Sequence, residues 1–146
     1  MTYLIDTNAC IKYLNGKSER IRQNIESKSP GDIVLCSVVK AELFYGAMKS
    51  ANFLVKKFNQ KKPANPERNL KRFSLFFTRF VSFPFDDKAA EVYGRIRANL
   101  EKAGTPIGPN DLLIAAIALA NELTLVTHNT REFGRIEKLK IEDWEI

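Results

Sequence analysis

The 146-residue sequence has one histidine and two cysteines. Cys10 and Cys36 lack the close spacing of a zinc site and are too few for a disulfide framework, so both read as small buried side chains. No Ser or Cys motif accompanies His128, which argues against a nucleophilic triad. Neither GxGxxG nor the GxxxxGK phosphate loop occurs, and Asp6-Thr7-Asn8 lacks the second Asp of a DxD phosphotransferase loop. Long apolar runs are missing too. The longest, Leu112 to Ala120, is nine residues, against the roughly 20 that span a bilayer, so no membrane association is expected. The first residues have neither a basic segment nor an apolar core of the export type, and a cytoplasmic address is the expectation. With 7 glycines and 6 prolines the chain is neither collagen-like nor of low complexity.

What remains is an ordinary globule, 45% hydrophobic and 27% charged, of a length that suggests a single domain over 1–146. Acids are outnumbered, 17 against 23 bases, for a net charge of +6. The excess is local. Residues 53–80 hold eight bases (Lys56, Lys57, Lys61, Lys62, Arg68, Lys71, Arg72, Arg79) and one acid, Glu67, which makes the segment +7 and the remainder −1. Phe53, Phe58, Phe73, Phe76, Phe77 and Phe80 lie among these charges. The 3/4 spacing of the last four favours the buried stripe of an amphipathic helix over a base-stacking platform.

Strand and helix signals alternate. Tyr3–Ile5 reads as a strand, with a helix over Ala9–Leu14, a second over Glu19–Ser27, a buried strand Ile33–Cys36, and a helix from Ser37 to about Met48. The basic arm predicts two helices joined by a proline-bearing turn at 62–66. A strand Val81–Phe85, a helix capped by Asp86, an almost wholly apolar helix Asp111–Asn121, a strand Leu123–Thr127 and a last short strand Leu139–Ile141 complete the pattern. Connections too short for hairpins imply an α/β fold with a parallel sheet covered on both faces.

In such a sheet ligands bind outside the carboxyl ends of the strands, where Asp6 stands. Asp6 is either a ligand or a helix cap, and Thr7 and Asn8 can also cap. Glu42 lies on a helix beside uncharged Val38, Val39, Tyr45 and Gly46, with no evident basic partner. Either it reaches water at the margin or a bound cation satisfies it. Asp111 opens the most apolar helix. The helix dipole alone favours an acid there, but a central helix also aims it at one rim of the sheet. Carboxylates without nearby His or Cys suit Mg²⁺ or Mn²⁺, and such sites hydrolyse phosphodiesters.

Four segments occur in order: Leu4-Ile5-Asp6-Thr7-Asn8, Ala41-Glu42-Leu43-Phe44-Tyr45-Gly46, Gly104-Thr105-Pro106-Ile107-Gly108-Pro109-Asn110-Asp111, and Leu125-Val126-Thr127-His128-Asn129-Thr130-Arg131-Glu132-Phe133. Over nearly its whole length the chain resembles PIN-domain ribonucleases, specifically VapC toxins of type II toxin–antitoxin pairs. The resemblance implies a three-layer αβα fold with a short central parallel sheet and a Mg²⁺- or Mn²⁺-dependent endoribonuclease acting on structured RNA, with tRNA as the expected substrate. It also implies a homodimer, a VapB-type antitoxin docking across the active site, and operator DNA association through that antitoxin. Asp6, Glu42 and Asp111 match the three main acidic, metal-holding positions. Asn129 falls where many relatives place a fourth acid and is expected to bind a metal-bound water or orient substrate, with Asn8 and Thr127 as polar support. Arg131 is a possible phosphate contact. Compared with similar toxins, 53–65 looks like an insertion, and its Lys56, Lys57, Lys61 and Lys62 are expected to touch RNA or antitoxin. Two rivals stand beside this reading: a catalytically impaired RNA- or antitoxin-binding module, and a DNA-directed nuclease of the same fold.

Overall fold

The structure is a computed structural model. It describes the backbone of residues 1–58 and 66–146 and the side chains of 1–49 and 68–146. The four lysines of the expected insertion 53–65 lie outside the described side chains.

Among the described residues five strands form one parallel sheet: β1 Tyr3–Ile5, β2 Ile33–Cys36, β3 Val81–Phe83, β4 Thr124–Val126 and β5 Ile141–Glu142, in the order β3-β2-β1-β4-β5. Tyr3 pairs with both Ile33 and Thr124, and Leu4 with both Val34 and Leu125. The chain runs outward from β1 through β2 to β3, then returns to the other side of β1 for β4 and β5. The reversal leaves a crevice outside the carboxyl ends of β1 and β4, which is where open parallel sheets bind ligands.

The helices are α1 Thr7–Leu14, α2 Glu19–Ser27, α3 Ser37–Phe58, α4 Pro66–Phe77, α5 Asp87–Lys102, α6 Pro109–Ala120 and α7 Thr130–Phe133. They bracket the sheet in the αβα layering expected of an α/β chain. Leu4, Ile5, Leu35, Leu125 and Val126 of the strands and Ile114 to Ala118 of α6 are buried, so strands and central helix alike are apolar nearly all round. Cys10 and Cys36 are buried and free, in keeping with their isolation in the sequence. Phe76, Phe77 and Phe80 are buried too, and edge-on ring contacts join Phe76 to Phe80 and Phe44 to Phe77. These rings are core, not a stacking platform.

Several boundaries move for local reasons. α3 continues to Phe58 rather than ending near Met48, since 49–58 contains neither Gly nor Pro to stop it. β3 stops at Phe83 because Pro84 has no N–H for the ladder. β5 begins at Ile141, after Lys138 turns the chain at φ 69°. α6 begins two residues before Asp111: Gly108 is its N-cap and Pro109, with φ already set, its first residue. No helix among the described residues is long and apolar enough to cross a membrane.

Candidate active site

Asp6 follows β1 directly and is 7% exposed. It is the N-cap of α1: its Oδ1 accepts the Ala9 N–H at 2.8 Å. By residue type Thr7 or Asn8 could cap as readily, but Thr7 is already the first helical residue and Asn8 is exposed. Asp6 therefore caps and faces the crevice at once. Burial pushes its carboxyl above the ordinary value, against the Thr127 hydroxyl and the Ala9 amide, which favour the charged form. The support expected from Asn8 is supplied by Thr127 and Ala9.

Thr7, freed from capping, donates from Oγ1 to Oε1 of Glu42 at 2.6 Å, tying α1 to α3. Asn110 Nδ2 lies 3.5 Å from the other oxygen of Glu42. Glu42 is thus hydrogen-bonded by neutral donors. Asp111 stands in the first turn of α6, and its carboxyl is pushed up to about 6 by burial and then by Glu42, Glu132 and Asp6. Each of these acids acts on Asp111, so Asp6, Glu42 and Asp111 share one electrostatic neighbourhood at the crevice.

Glu132 joins them, although the sequence reading does not single it out. It lies on α7, the four-residue helix after β4, whose N-cap is Asn129. Asn129 Oδ1 accepts the Glu132 N–H at 3.4 Å, and Asn129 Nδ2 donates to Glu132 Oε2 at 2.8 Å. Each end of the Asn129 amide thus makes one hydrogen bond to Glu132, which places a further acid beside Asn129. Thr127, 1% exposed, accepts the Asn129 N–H on Oγ1 at 3.0 Å while its hydroxyl serves Asp6, so one side chain links both strand ends. The signal available in the sequence is the spacing Asn129-x-x-Glu132, a capping-box pattern.

The basic residues divide. Arg72 donates to the Leu14 carbonyl at 2.6 Å, and Arg79 lies over the Tyr13 and Phe80 rings and donates to the Tyr13 hydroxyl at 3.1 Å. Arg72 braces α4 against α1, and Arg79 braces the turn that follows α4. Arg131 is exposed on α7. A groove of about 250 Å³ between α1, α3 and α4 opens beside Glu42, with Ile11, Leu14, Leu43 and Phe73 in its wall and Arg72 among its lining residues.

Three of the four carboxylates, Asp6, Glu42 and Glu132, are oriented by neutral donors, and the Asp111 carboxyl is raised first by burial and then by the other acids. By donor chemistry, all-oxygen carboxylates of this kind suit Mg²⁺ or Mn²⁺.

The PIN domain family matches residues 3–139. Ribonuclease VapC2 of Rickettsia felis is 38% identical over 146 residues, covering 99% of each chain. The tRNA(fMet)-specific endonuclease VapC of Salmonella typhimurium is 38% identical over 144 residues, covering 99% of this chain and 98% of that protein. Among solved structures, VapBC2 from Rickettsia felis bound to a promoter DNA fragment matches with a TM-score of 0.83 at 36% identity, over 99% of both chains. DNA-bound VapBC from Salmonella typhimurium matches with a TM-score of 0.84 at 38% identity, over 99% and 98%. The switch-point crevice and its converging acids are thus set in a familiar frame, and the chain belongs to the PIN domain family and, within it, to the VapC ribonucleases.

Proposed function

We propose that the protein is the toxin of a toxin–antitoxin pair, an endoribonuclease that uses Mg²⁺ or Mn²⁺ to cleave structured RNA, with tRNA as the substrate class. The observation that carries this is that Asp6 after β1, Glu42 tied to Thr7, and Glu132 after β4 all act on Asp111 at the head of α6. A divalent cation held there supplies an activated water and charge stabilisation at the phosphate. The chain's own residues preorganise the set. The Ala9 amide and the Thr127 hydroxyl aim Asp6, the Thr7 hydroxyl aims Glu42, and the Asn129 amide aims Glu132. None of these partners neutralises a carboxylate, so the negative field stays available for a cation.

Glu132, hydrogen-bonded by Asn129 and acting on Asp111, favours an active enzyme over the catalytically impaired module that Asn129 at the fourth acidic position suggests. The groove beside Glu42 offers an apolar floor for a VapB-type antitoxin segment, with operator DNA reached through that antitoxin, and a homodimer is the assembly proposed. Support comes from relatives: the Salmonella typhimurium protein is named for cleavage of tRNA(fMet), and the solved VapBC complexes of two organisms contain DNA.

The test presents purified protein with total tRNA and with single-stranded DNA, each with Mn²⁺. Cleavage of tRNA alone is expected. Cleavage of DNA in preference to RNA would overturn the substrate assignment in favour of a DNA-directed nuclease of the same fold.

A further inference from the structure

Beyond the four acids, a second group of metal-ligating side chains stands on the β5 side of the crevice. His128 follows Thr127 at the end of β4, and Asp143 and Glu145 follow β5. The ligand atoms of these three lie within 4.8 Å of one another. His128 Nδ1 is 2.9 Å from Asp143 Oδ2 and 3.7 Å from Glu145 Oε2. Bonds of about 2.0–2.2 Å from nitrogen and carboxylate oxygen to one cation separate neighbouring donors by roughly 3–3.6 Å, so shifts of about 0.1 Å would bring 2.9 and 3.7 Å to that spacing.

The converging atoms have their hydrogen bond within the cluster, between His128 Nδ1 and Asp143 Oδ2, while the other carboxylate oxygens are held by outside partners. Asp143 Oδ1 accepts the Glu145 N–H at 2.9 Å, and Glu145 Oε1 is paired with Lys12 Nζ. Each carboxylate is therefore oriented by one oxygen and offers the other, as carboxylates around a bound ion usually are. The two side chains are 10% and 16% exposed, whereas His128 is 58% exposed, so the cluster is built from beneath and open above. Register fixes the foundation: Val126 pairs with Glu142, and Thr127 N–H donates to the Glu142 carbonyl at 3.0 Å.

We propose that His128, Asp143 and Glu145 form a second cation site, separate from the four acids, that takes a transition-metal ion such as Zn²⁺ and clips the segment after β5 to the turn after β4. One imidazole with two carboxylates is a borderline donor set, which prefers Zn²⁺ or Co²⁺ over Mg²⁺, unlike the all-oxygen set of Asp6, Glu42, Asp111 and Glu132. The clip also bears on the active site. Glu145 is one of the charges acting on Asp6, so an ion beside Glu145 weakens that repulsion.

His128 is the only histidine, so in a tag-free protein its imidazole gives one set of ring nitrogen resonances. Zn²⁺ titration into the whole protein, followed by ¹⁵N NMR of that ring, should move the Nδ1 resonance strongly and saturably. Asp6→Asn should leave this response in place, and Asp143→Asn should weaken the apparent affinity at least about tenfold. In parallel, Co²⁺ absorption should show a bound ion in the wild type and in Asp6→Asn that is lost in His128→Gln, whose position is exposed enough to spare the fold. A ring that ignores Zn²⁺, with equal Co²⁺ binding by wild type and His128→Gln, would overturn the proposal and leave an ion-pair network only.

Discussion

Burial and three neighbouring carboxylates hold the Asp111 carboxyl near 6, and that displacement has a thermodynamic sign. Between the ordinary value of 3.8 and about 6 the native state keeps a proton that the unfolded chain has released. This contribution to stability is full below the lower value and is lost as the pH rises through the upper one. Metal-free protein should therefore show a melting temperature that falls from pH 4 to pH 7. Asp111→Asn should flatten that dependence, and Mg²⁺ should raise the wild-type melting temperature more at pH 7 than at pH 4. A wild-type profile unchanged by the substitution would contradict the crowding of acids. Glu132 carries a second prediction at this scale. Asn129→Ala leaves Glu132 in the chain but removes its guide, so RNA cleavage should drop by roughly 10–100-fold, the usual effect of losing an outer partner. Steady-state rates on tRNA would check it, and Asn129→Ala at wild-type rate would show that the guide is dispensable.

At the scale of elements, legibility follows length and periodicity. Asp6, Glu42 and Asp111 can be read because each sits at a marked place: after a strand, on an uncharged helix face, and at the head of an apolar helix. Glu132 is marked only by its capping-box spacing from Asn129, because α7 has four residues and too few turns to show a period. The end of α3 is hidden because residues 49–58 contain neither Gly nor Pro, so nothing local marks where the helix stops. Gly134 closes α7, and a Cβ there would lie 2.5 Å from the Thr130 carbonyl oxygen, so the backbone must shift to accept one. Gly134→Ala should cost about 1–3 kcal/mol of stability, measured by urea unfolding, and should lower cleavage by displacing Glu132. A substitution that left both untouched would mean α7 does not fix the acid.

Over the whole molecule, a sheet order that reverses beside β1 brings together acids from α1, α3, α6 and α7 that are separated by up to 126 positions in sequence, Asp6 to Glu132. The rigidity of that arrangement rests on the core between sheet and α6. Ile114→Ala, at a site 1% exposed, should cost about 2–5 kcal/mol in chemical denaturation. The charge of +6 also resolves at this scale into a near-neutral body and a +7 arm, with Arg72 and Arg79 already engaged in bracing α4 and the turn that follows it. If Lys56, Lys57, Lys61 and Lys62 touch phosphates, changing all four to Ala should flatten the salt dependence of RNA binding by roughly 0.7 for each phosphate interaction removed. An unchanged slope would assign the arm to solvent or to a protein partner. The central claim, that the acids of the switch-point crevice cleave RNA through a divalent cation, is tested most directly by single-turnover cleavage of tRNA as a function of Mn²⁺ concentration, in wild type and Asp6→Asn. The account predicts a rate that saturates with Mn²⁺, vanishes in EDTA and falls at least about a hundredfold in the variant. A rate indifferent to both EDTA and the substitution would contradict it.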